Sequence, residues 1–383
     1  MKITIAIDSF KGSLSTFEAG QAASEGIKRV FPDAETVISP IADGGEGTTE
    51  AIIGACHGEM RKVAVSDPLG RKINAEYGYI PDMKTAVIEM SSAAGITLVS
   101  EAERNPMNTT TYGVGEMILD AIKSGCRNFV VGIGGSATND GGTGMLSALG
   151  FEFLDCDGNR IELGARGLEK LSEIRCDNAH PLLSECTFRI ACDVTNPLCG
   201  ENGCSAIYGP QKGATAENIP VMDKWLANFA RLTRTVKPTA DENYPGAGAA
   251  GGMGFAFMSY LSGKLTSGIS LVMSMTGIEE HIKGSDIVIT GEGRLDSQSA
   301  NGKAPVGVAS IAKKYGKPVI AFSGCTTADA GVLNSSGIDA FFPILKAPCS
   351  LSEAMDKKNA ARNLSDTAEQ AMRMVKVFAK EVK

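Results

Sequence analysis

Several features that would identify common functional classes are scarce in this sequence. The chain of 383 residues has three histidines, one tryptophan and ten cysteines without Cys-x-x-Cys spacing, which argues against a zinc site and favours reduced thiols. The net charge is −7 and no long run of Lys or Arg occurs, which argues against nucleic acid as a partner. No apolar run has the length of a membrane span or of a signal-peptide core. The sequence therefore predicts a cytoplasmic protein with no membrane partner.

Strands and helices alternate at both ends of the chain. Residues 2–7 predict a buried parallel strand, and Ser15 with Glu18 predicts a capping box for the helix that follows. From about residue 66 strand-like segments follow one another without helices, and the alternation resumes near residue 285. The chain length fits two domains. The pattern predicts an α/β protein with a discontinuous domain of residues 1–66 plus 285–383 and an inserted α/β domain of residues 67–284, which carries the glycine-rich loops.

The segment 134–142 is the most unusual stretch of the chain. It lies between a predicted buried strand at 128–133 and a predicted helix start at 143–149. Its glycines allow backbone N–H groups to converge on an anion, and a helix N-terminus adds positive partial charge. We expect Gly134, Gly135, Ser136, Thr138, Asn139 and Asp140 to hold a phosphate or a small hydroxy acid. The alternative is a polar turn that binds nothing.

A dinucleotide site is a second interpretation of this region. Residues 132–137 match Gly-x-Gly-x-x-Ala after a strand, with Asp155 about twenty residues further on. The loop continues to Gly142 before a helix can start, which the tight turn of that motif does not allow. No P-loop sequence is present. An NAD(P)-dependent oxidoreductase of a small hydroxy acid is therefore the alternative function, and a non-catalytic sugar-acid-binding protein is another.

Charged residues recur where predicted strands end. The acidic ones are Asp8, Asp43, Glu46, Asp140, Asp193, Glu292 and Asp296, and the basic ones in the same loops are Lys11, Lys212, Arg294 and Lys303. Singly, such residues cap helices, form turns or carry solvated charge. Together they supply oxygen ligands for a divalent cation, a general base and cations for phosphoryl oxygens. These are the components that phosphoryl transfer requires.

Six polar segments follow one another in a specific order along the chain. They are residues 8–13, 43–48, 133–142, 192–198, 209–213 and 290–296. Together they resemble the class I glycerate kinases of bacteria, and the similarity covers essentially the whole chain. The resemblance implies ATP-dependent, Mg²⁺-assisted phosphorylation of D-glycerate, with 2-phosphoglycerate as the favoured product, in glyoxylate and sugar-acid catabolism. It also implies a discontinuous flavodoxin-like (Rossmann-like) domain, an inserted second α/β domain and an active site in the cleft between them, in a monomer or homodimer.

Site roles follow as hypotheses. We expect Asp193 to act as the base or the hydroxyl-orienting carboxylate, and Lys11 to neutralise the transferring phosphoryl group. We expect Asp43, Glu292 and Asp296 to bind Mg²⁺. The remaining predicted substrate- or phosphate-binding residues, besides those of the 134–142 loop, are Ser9, Ser13, Gly44, Gly45, Thr48, Asn196, Lys212, Arg294 and Lys303. No aromatic residue stands out as a stacking partner for adenine.

Overall fold

The computed structural model describes residues 1–300 and 303–381, which divide into two compact units. The first unit comprises residues 1–43, 50–56 and 269–383, and the second comprises residues 44–49 and 57–268. The strands are β1 (Lys2–Ile7), β2 (Glu35–Ile38), β3 (Glu59–Ser66), β4 (Lys72–Ile80), β5 (Thr85–Glu89), β6 (Asn128–Gly132), β7 (Glu152–Leu154), β8 (Glu173–Arg175), β9 (Thr187–Ala191), β10 (Lys264–Thr266), β11 (Ile287–Leu295), β12 (Val319–Thr326) and β13 (Ala340–Pro343).

Most of the connections between these strands are helical. The α-helices are α1 (Thr16–Val30), α2 (Thr48–Cys56), α3 (Ser91–Ala94), α4 (Tyr112–Lys123), α5 (Thr143–Ala148), α6 (Cys204–Tyr208), α7 (Asn218–Val236), α8 (Ala249–Leu261), α9 (Gly268–Thr276), α10 (Ile278–Lys283), α11 (Ala304–Lys314), α12 (Val332–Ser335), α13 (Leu351–Met355) and α14 (Lys357–Glu381). Within the described residues, no helix is long and apolar enough to span a membrane.

The first unit is built on a five-stranded parallel sheet in the order β2-β1-β11-β12-β13. Numbered along this unit, the strands read 2-1-3-4-5, which is the flavodoxin order. The order confirms the flavodoxin-like domain. It also places the topological switch point, where ligands bind in open α/β sheets, between the carboxyl ends of β1 and β11.

The side chains of β1 alternate between the two faces of this sheet. Ile3, Ile5 and Ile7 point to one face, where they share a buried cluster with residues of α1 and α14. Ala6 points to the other face and packs with residues of α10 and α11. A Cβ on Gly26 of α1 would lie 2.0 Å from the carbonyl oxygen of Ser365 in α14. Glycine at this position therefore allows the two helices to pack closely.

The second unit contains a six-stranded mixed sheet in the order β10-β9-β6-β5-β4-β3. The pairs β3–β4 and β4–β5 are antiparallel, and β5–β6, β6–β9 and β9–β10 are parallel. The strands β7 and β8 form a separate two-stranded antiparallel sheet. The antiparallel strands account for the run without helices that the sequence shows after residue 66.

The compact units differ in extent from the domains predicted from the sequence. β3 belongs to the second unit and α10 to the first, whereas the sequence-based limits at residues 66 and 285 place each on the other side. The sequence marks the end of the first antiparallel strand more clearly than its beginning, because Asp67 and Gly70 form a turn there. The division into domains of residues 1–66 plus 285–383 and 67–284 stays a prediction.

Candidate functional site

A pocket of about 420 Å³ opens at the switch point of the first unit. Asp8 and Lys11 reach it from the loop after β1, Asp43 from the segment after β2, and Glu292 and Arg294 from the end of β11. A volume of this size lies within the range of small-molecule sites, about 300–1,000 Å³. Parallel strands explain the convergence, because their carboxyl ends meet at one edge of the sheet. The predicted loops at 8–13 and 290–296 therefore meet in this unit.

Asp8 is the most strongly perturbed carboxyl group of the pocket. Its side chain is 3% exposed, and burial together with the negative charges of Asp43 and Glu292 raises its pKa to about 7. The backbone N–H of Ser9 donates to Asp8 Oδ1 at 2.7 Å and partly offsets this shift. The sequence places Asp8 among the loop-start carboxylates that could bind a cation or act as a base, but it assigns Asp8 no individual role. Its burial, which the sequence does not reveal, identifies it as a site residue.

Lys11 supplies positive charge beside these carboxylates. Its Nζ lies 3.1 Å from Oδ2 of Asp43, and 56% of the Lys11 side chain is exposed. Burial acts to lower the pKa of Lys11, but the neighbouring carboxylate of Asp43 outweighs it, so the pKa is raised. Lys11 is therefore a protonated amine with solvent access, as a residue that meets a phosphoryl group must be.

Glu292 and Asp296 differ in what they contact. The Ser299 hydroxyl donates to Glu292 Oε1 at 2.5 Å, and burial raises the pKa of Glu292. Asp296 Oδ1 accepts from the backbone N–H groups of Gln298 and Ser299, at 3.0 and 3.2 Å. These contacts make Asp296 the cap of the 3₁₀ turn Ser297–Ala300. Its placement favours a structural role over the predicted metal contact, although it borders the pocket.

The other predicted residues of this unit line the same pocket. Ser9, Ser13, Arg294 and Lys303 are all part of its wall. Within the described residues, the buried Oγ of Ser13 has no hydrogen-bond partner. A buried hydroxyl without a partner in the protein can form a hydrogen bond with a ligand. Arg294 Nε lies 3.4 Å from Oδ2 of Asp296 with its side chain 63% exposed, so the guanidinium also faces solvent.

Gly293 leaves open space in the pocket wall. A Cβ at this position would have its nearest neighbour at 3.6 Å, an ordinary contact distance, and the residue does not have a positive φ. Neither packing nor backbone conformation therefore requires glycine there. Gly293 lines the pocket, where the absence of a side chain would let a ligand approach the backbone closely.

In the part of the chain that the structure describes, the carboxylates of the pocket do not form a complete metal site by themselves. Among the described residues, no group of three His, Cys, Asp or Glu side chains is arranged to hold a metal ion. Mg²⁺ is usually bound through one or two carboxylates together with substrate phosphates and water. Burial is the main cause of the raised pKa of Asp8, and the charges of Asp43 and, more weakly, Glu292 add to it. A cation beside these carboxylates would stabilise their ionised forms.

The loop 134–142 of the second unit has an exposed beginning and a buried end. Gly134 and Gly135 are exposed, whereas Thr138, Asn139 and Asp140 are fully buried. Asp140 Oδ2 accepts from the backbone N–H and the hydroxyl of Thr111, and Oδ1 accepts from the N–H of Gly142. These bonds favour a structural role for Asp140, which holds the loop in place, over the predicted contact with substrate.

Lys212 is hydrogen-bonded to the 134–142 loop. Its side chain is 2% exposed, and Nζ donates to Ser136 Oγ at 2.7 Å and to the carbonyl of Thr138 at 2.6 Å. Burial lowers the pKa of Lys212 to about 8. Within the described residues, the buried Thr138 Oγ1 and Asn139 Oδ1 have no hydrogen-bond partner. The amide of Asn139 donates to Ser205 Oγ at 2.8 Å.

The segment 44–49 lies beside this loop in the same unit. A Cβ on Gly134 would lie 3.6 Å from the Cα of Gly45, and one on Gly44 would lie 2.8 Å from the Cβ of Ala191. Gly44 has a φ of +88°, so it needs glycine for both conformation and space. Thr48 is buried, and within the described residues its Oγ1 lacks a partner. The predicted glycines at 44, 45 and 134 are therefore close neighbours.

Asp193 lies at the carboxyl end of β9, as predicted, and is exposed. Its Oδ1 accepts from the backbone N–H of Gly268 at 3.0 Å. Asn196 is held by structural contacts, since Nδ2 donates to the carbonyl of Asn202 at 2.9 Å and Oδ1 accepts from the Tyr208 hydroxyl at 2.5 Å. Asp193 is therefore accessible to a ligand, whereas Asn196 shapes the turn that follows it.

A second glycine-rich segment packs behind the 134–142 loop. Residues Ala250, Gly251 and Gly252 adopt three successive left-handed conformations inside α8. The Gly251 carbonyl accepts from the N–H of Gly141 at 2.9 Å, and a Cβ on Gly251 would lie 2.1 Å from the carbonyl oxygen of Thr138. The glycine-rich segment 246–252 therefore packs against the 134–142 loop and holds it in place.

The structure argues against a dinucleotide site at residues 132–137. α5 begins at Thr143, after the whole 134–142 loop, so the tight turn of the fingerprint is absent from this part of the chain. Asp155 Oδ1 accepts from the N–H groups of Asp157 and Asn159 in a turn after β7. Asp155 therefore belongs to a turn and does not take the place of a ribose-binding acid.

Comparison with known proteins agrees with this geometry. The profile of the glycerate kinase family matches residues 3–376. The chain belongs to the glycerate kinase family. It is 49% identical to glycerate 2-kinase of Escherichia coli (strain K12), over 97% of this chain and 99% of that protein. It is 42% identical to glycerate kinase of Bacillus subtilis (strain 168), over 98% of each chain.

A solved structure supports the same membership. A crystal structure of a Salmonella typhimurium LT2 protein, provisionally named glycerate kinase 2, superposes with a TM-score of 0.91 at 44% identity and covers 99% of both chains. The predicted family and fold class are therefore confirmed. The roles of the individual residues and the predicted cleft between two domains stay predictions. The sequence assigned Asp8 only the collective role of the loop-start carboxylates, and it did not indicate the apolar wall of the pocket, which comes from residues near α13.

Proposed function

We propose that the protein transfers the γ-phosphoryl group of ATP to D-glycerate and forms 2-phosphoglycerate and ADP. The observation that supports this most is the pocket at the switch point, where Lys11, Arg294 and Lys303 face the same space as Asp8, Asp43 and Glu292. Cations for phosphoryl oxygens and carboxylates for a metal are the requirements of phosphoryl transfer. Membership of the glycerate kinase family supplies the acid substrate.

In this proposal the residues of the pocket position the donor. Lys11, Arg294 and Lys303 bind the phosphate oxygens and neutralise the charge that develops on them. The γ-phosphorus forms a bond to the glycerate 2-hydroxyl oxygen, and its bond to the bridging oxygen breaks, so that ADP leaves. Charge stabilisation by prearranged cations is the main catalytic effect expected here.

One or two of the carboxylates of Asp8, Asp43 and Glu292, together with phosphate oxygens, are the proposed magnesium ligands. Asp43 and Glu292 come from the predicted set, and Asp8 is added because its charge is coupled to theirs. Asp296, whose Oδ1 caps a turn, stays a prediction. When bound, Mg²⁺ would neutralise charge on the phosphate oxygens and hold them in position.

The acid is proposed to bind through residues of the second unit. The exposed N–H groups of the 134–135 turn suit a carboxylate, as expected from the sequence. Asp193 keeps its proposed role, which is to orient the attacking hydroxyl and accept its proton. Lys212 and Asp140 hold the loop in position, since both are buried and bonded to it. Because all ten cysteines lack disulfide partners, we place the reaction in a reducing cytoplasm.

Phosphorus NMR of the product tests the function directly. The full chain is incubated with D-glycerate and MgATP, and the product resonance is recorded with proton coupling. A doublet from the single C2 proton is expected, whereas a triplet would show transfer to the 3-hydroxyl. The absence of both, with no ADP formed, would overturn the proposed function. ADP formation without glycerate would contradict the assignment of the acceptor, and tight NADH binding would favour an oxidoreductase.

A further inference from the structure

We propose that the segment 345–355 forms the binding site for the purine base of the nucleotide. This inference rests on the proposed function, since it concerns the same pocket. The pocket has a charged side at the carboxyl ends of β1 and β11 and an apolar side made by Leu345, Leu351, Ala354 and Met355. No stacking partner for adenine stands out in the sequence, which has one Trp and seven Tyr.

The apolar side chains of this wall are exposed to an unusual degree. Leu351 is 75% exposed and Met355 is 37% exposed, although both are large and hydrophobic. Single exposed apolar residues are common on protein surfaces and need no ligand. Here, however, both side chains line one cavity whose other side holds Lys11 and Arg294. A ligand that is apolar at one end and anionic at the other matches this arrangement.

Glycerate does not fit the apolar part of the wall. Each of its three carbons carries an oxygen, so it has no surface that would gain from contact with leucine or methionine. The base of a nucleotide has two flat faces without charge and is covalently joined to a triphosphate. Methionine sulfur and aromatic rings also attract one another. The base is therefore the part of the two proposed substrates that this wall suits.

The wall is held in place by local bonds. Ser350 and Glu353 form a capping box at the start of α13, and the N–H of Ile344 donates to the Ser323 carbonyl of β12 at 2.8 Å. Met355 also packs against the loop after β1, because a Cβ on Gly12 would lie 2.5 Å from Met355 Cε. A large side chain at residue 12 would therefore push Met355 away. These contacts fix the distance between the apolar wall and the lysine-bearing loop.

Binding of ATP and of inorganic tripolyphosphate distinguishes the base site from the phosphate site. Isothermal titration with Mg²⁺ compares the unaltered full chain with the double variant Leu351→Ala and Met355→Ala. We expect the Kd for ATP to rise about tenfold or more, because apolar contact with the base is lost. The Kd for tripolyphosphate should not change. As a matched control, Val332→Ala removes an apolar side chain that is 44% exposed and lies outside the pocket lining, and it should change neither constant.

Methyl NMR gives a readout that does not depend on activity. In protein labelled at the methionine methyl groups, the Met355 signal is assigned from its loss in Met355→Leu. We expect ADP to shift this signal through the ring current of the base and tripolyphosphate to leave it in place. Unchanged ATP affinity in the double variant, equal weakening of both ligands, or an unmoved Met355 signal would each overturn the base site. The proposed function is tested separately, with the unaltered chain. If that chain phosphorylates glycerate, the function holds even when the base site is wrong; if it does not, the function itself is wrong.

Discussion

The ammonium group of Lys11 lies 3.1 Å from the carboxylate of Asp43, and this contact joins the loop after β1 to the segment after β2. The two side chains are 56% and 29% exposed, so the pair contributes little to stability, about 0–1 kcal/mol. The pair lies in the pocket beside Asp8 and Glu292, and in the proposed function both residues bind ligands.

Replacement of Lys11 should therefore affect turnover much more than folding. We expect Lys11→Gln to lower kcat/KM for ATP by about 10²–10³-fold, because a cation that stabilises phosphoryl charge is lost. The melting temperature should stay nearly constant. Steady-state kinetics and thermal melts measure the two effects. Lys2→Gln is the matched control, since Lys2 pairs with Glu35 in the same sheet outside the pocket lining, and turnover of Lys11→Gln equal to that of this control would contradict the prediction.

Asp8→Asn should stabilise the protein at alkaline pH while it impairs activity. The pKa of Asp8 rises from 3.8 to about 7 on folding, so ionisation of this buried group costs stability progressively as the pH rises through that interval. Near pH 4 the free energy of unfolding of the variant should equal that of the unaltered chain. At pH 8 it should be higher by up to about 4 kcal/mol, at about 1.4 kcal/mol per pKa unit.

Urea unfolding at several pH values, with EDTA present, checks this dependence. Asp33→Asn, at an exposed position of the same unit, should show no such trend. Added Mg²⁺ should reduce the gain, because a bound cation stabilises the ionised carboxyl group of Asp8. A gain for Asp8→Asn that is equal at pH 4 and pH 8 would show that Asp8 titrates normally.

Gly293→Ala should weaken nucleotide binding without destabilising the fold. A methyl group there meets no protein atom closer than 3.6 Å, but it enters the pocket. We expect a higher KM for ATP and an unchanged melting temperature. Gly324→Ala provides the contrast, because its Cβ would lie 2.5 Å from the Gly293 carbonyl oxygen and should lower the melting temperature. An unchanged KM in Gly293→Ala would show that no ligand approaches this strand end.

Asp140→Asn should destabilise the second unit. An asparagine can accept through only one of the two positions at which Asp140 receives the N–H groups of Thr111 and Gly142, so a buried N–H loses its acceptor. The expected cost is about 1–3 kcal/mol in urea unfolding. Asp155→Asn is the control, since Asp155 uses a single oxygen for both of its turn bonds and an asparagine keeps them. Equal stability of the two variants would remove Asp140 from its structural role.

Asp193→Asn, in contrast to Asp140→Asn, should lower turnover without destabilising the protein. Its exposed side chain accepts one backbone N–H, from Gly268, which an asparagine oxygen also accepts. We expect kcat to fall by orders of magnitude with little change in melting temperature. Asp223→Asn is the comparison, since Asp223 also accepts a backbone N–H, from Gly200, and lies outside the predicted site. Near-normal turnover in Asp193→Asn would exclude this residue from the chemistry.

The α/β alternation of the fold could be predicted from the sequence because the elements follow simple patterns. β1 is an uninterrupted β-branched run, and the capping box of Ser15 and Glu18 is present as predicted. α8 was not predicted, because its glycines indicate a loop. It forms nevertheless, since Phe255 and Phe257 are fully buried in the core of the second unit. Tertiary packing overrides local propensity there.

The site was predictable in outline for a related reason. Glycines and charges at strand ends indicated the loops that meet at the switch point of the first unit. The division of labour among the carboxylates was not predictable, because Asp8 and Asp140 are both buried aspartates that follow strands, yet one faces a pocket and the other binds backbone N–H groups. That difference depends on neighbours distant in sequence, such as Thr111 and Glu292.

The three left-handed residues at 250–252 make part of the chain sensitive to change for reasons unrelated to chemistry. Any side chain added at Gly251 would displace the Thr138 carbonyl, and with it the loop that Lys212 supports. A random mutagenesis screen for lost activity would therefore recover substitutions here as readily as at the pocket. Intolerance of substitution at residue 251 would then reflect its packing against the loop and not a contact with substrate.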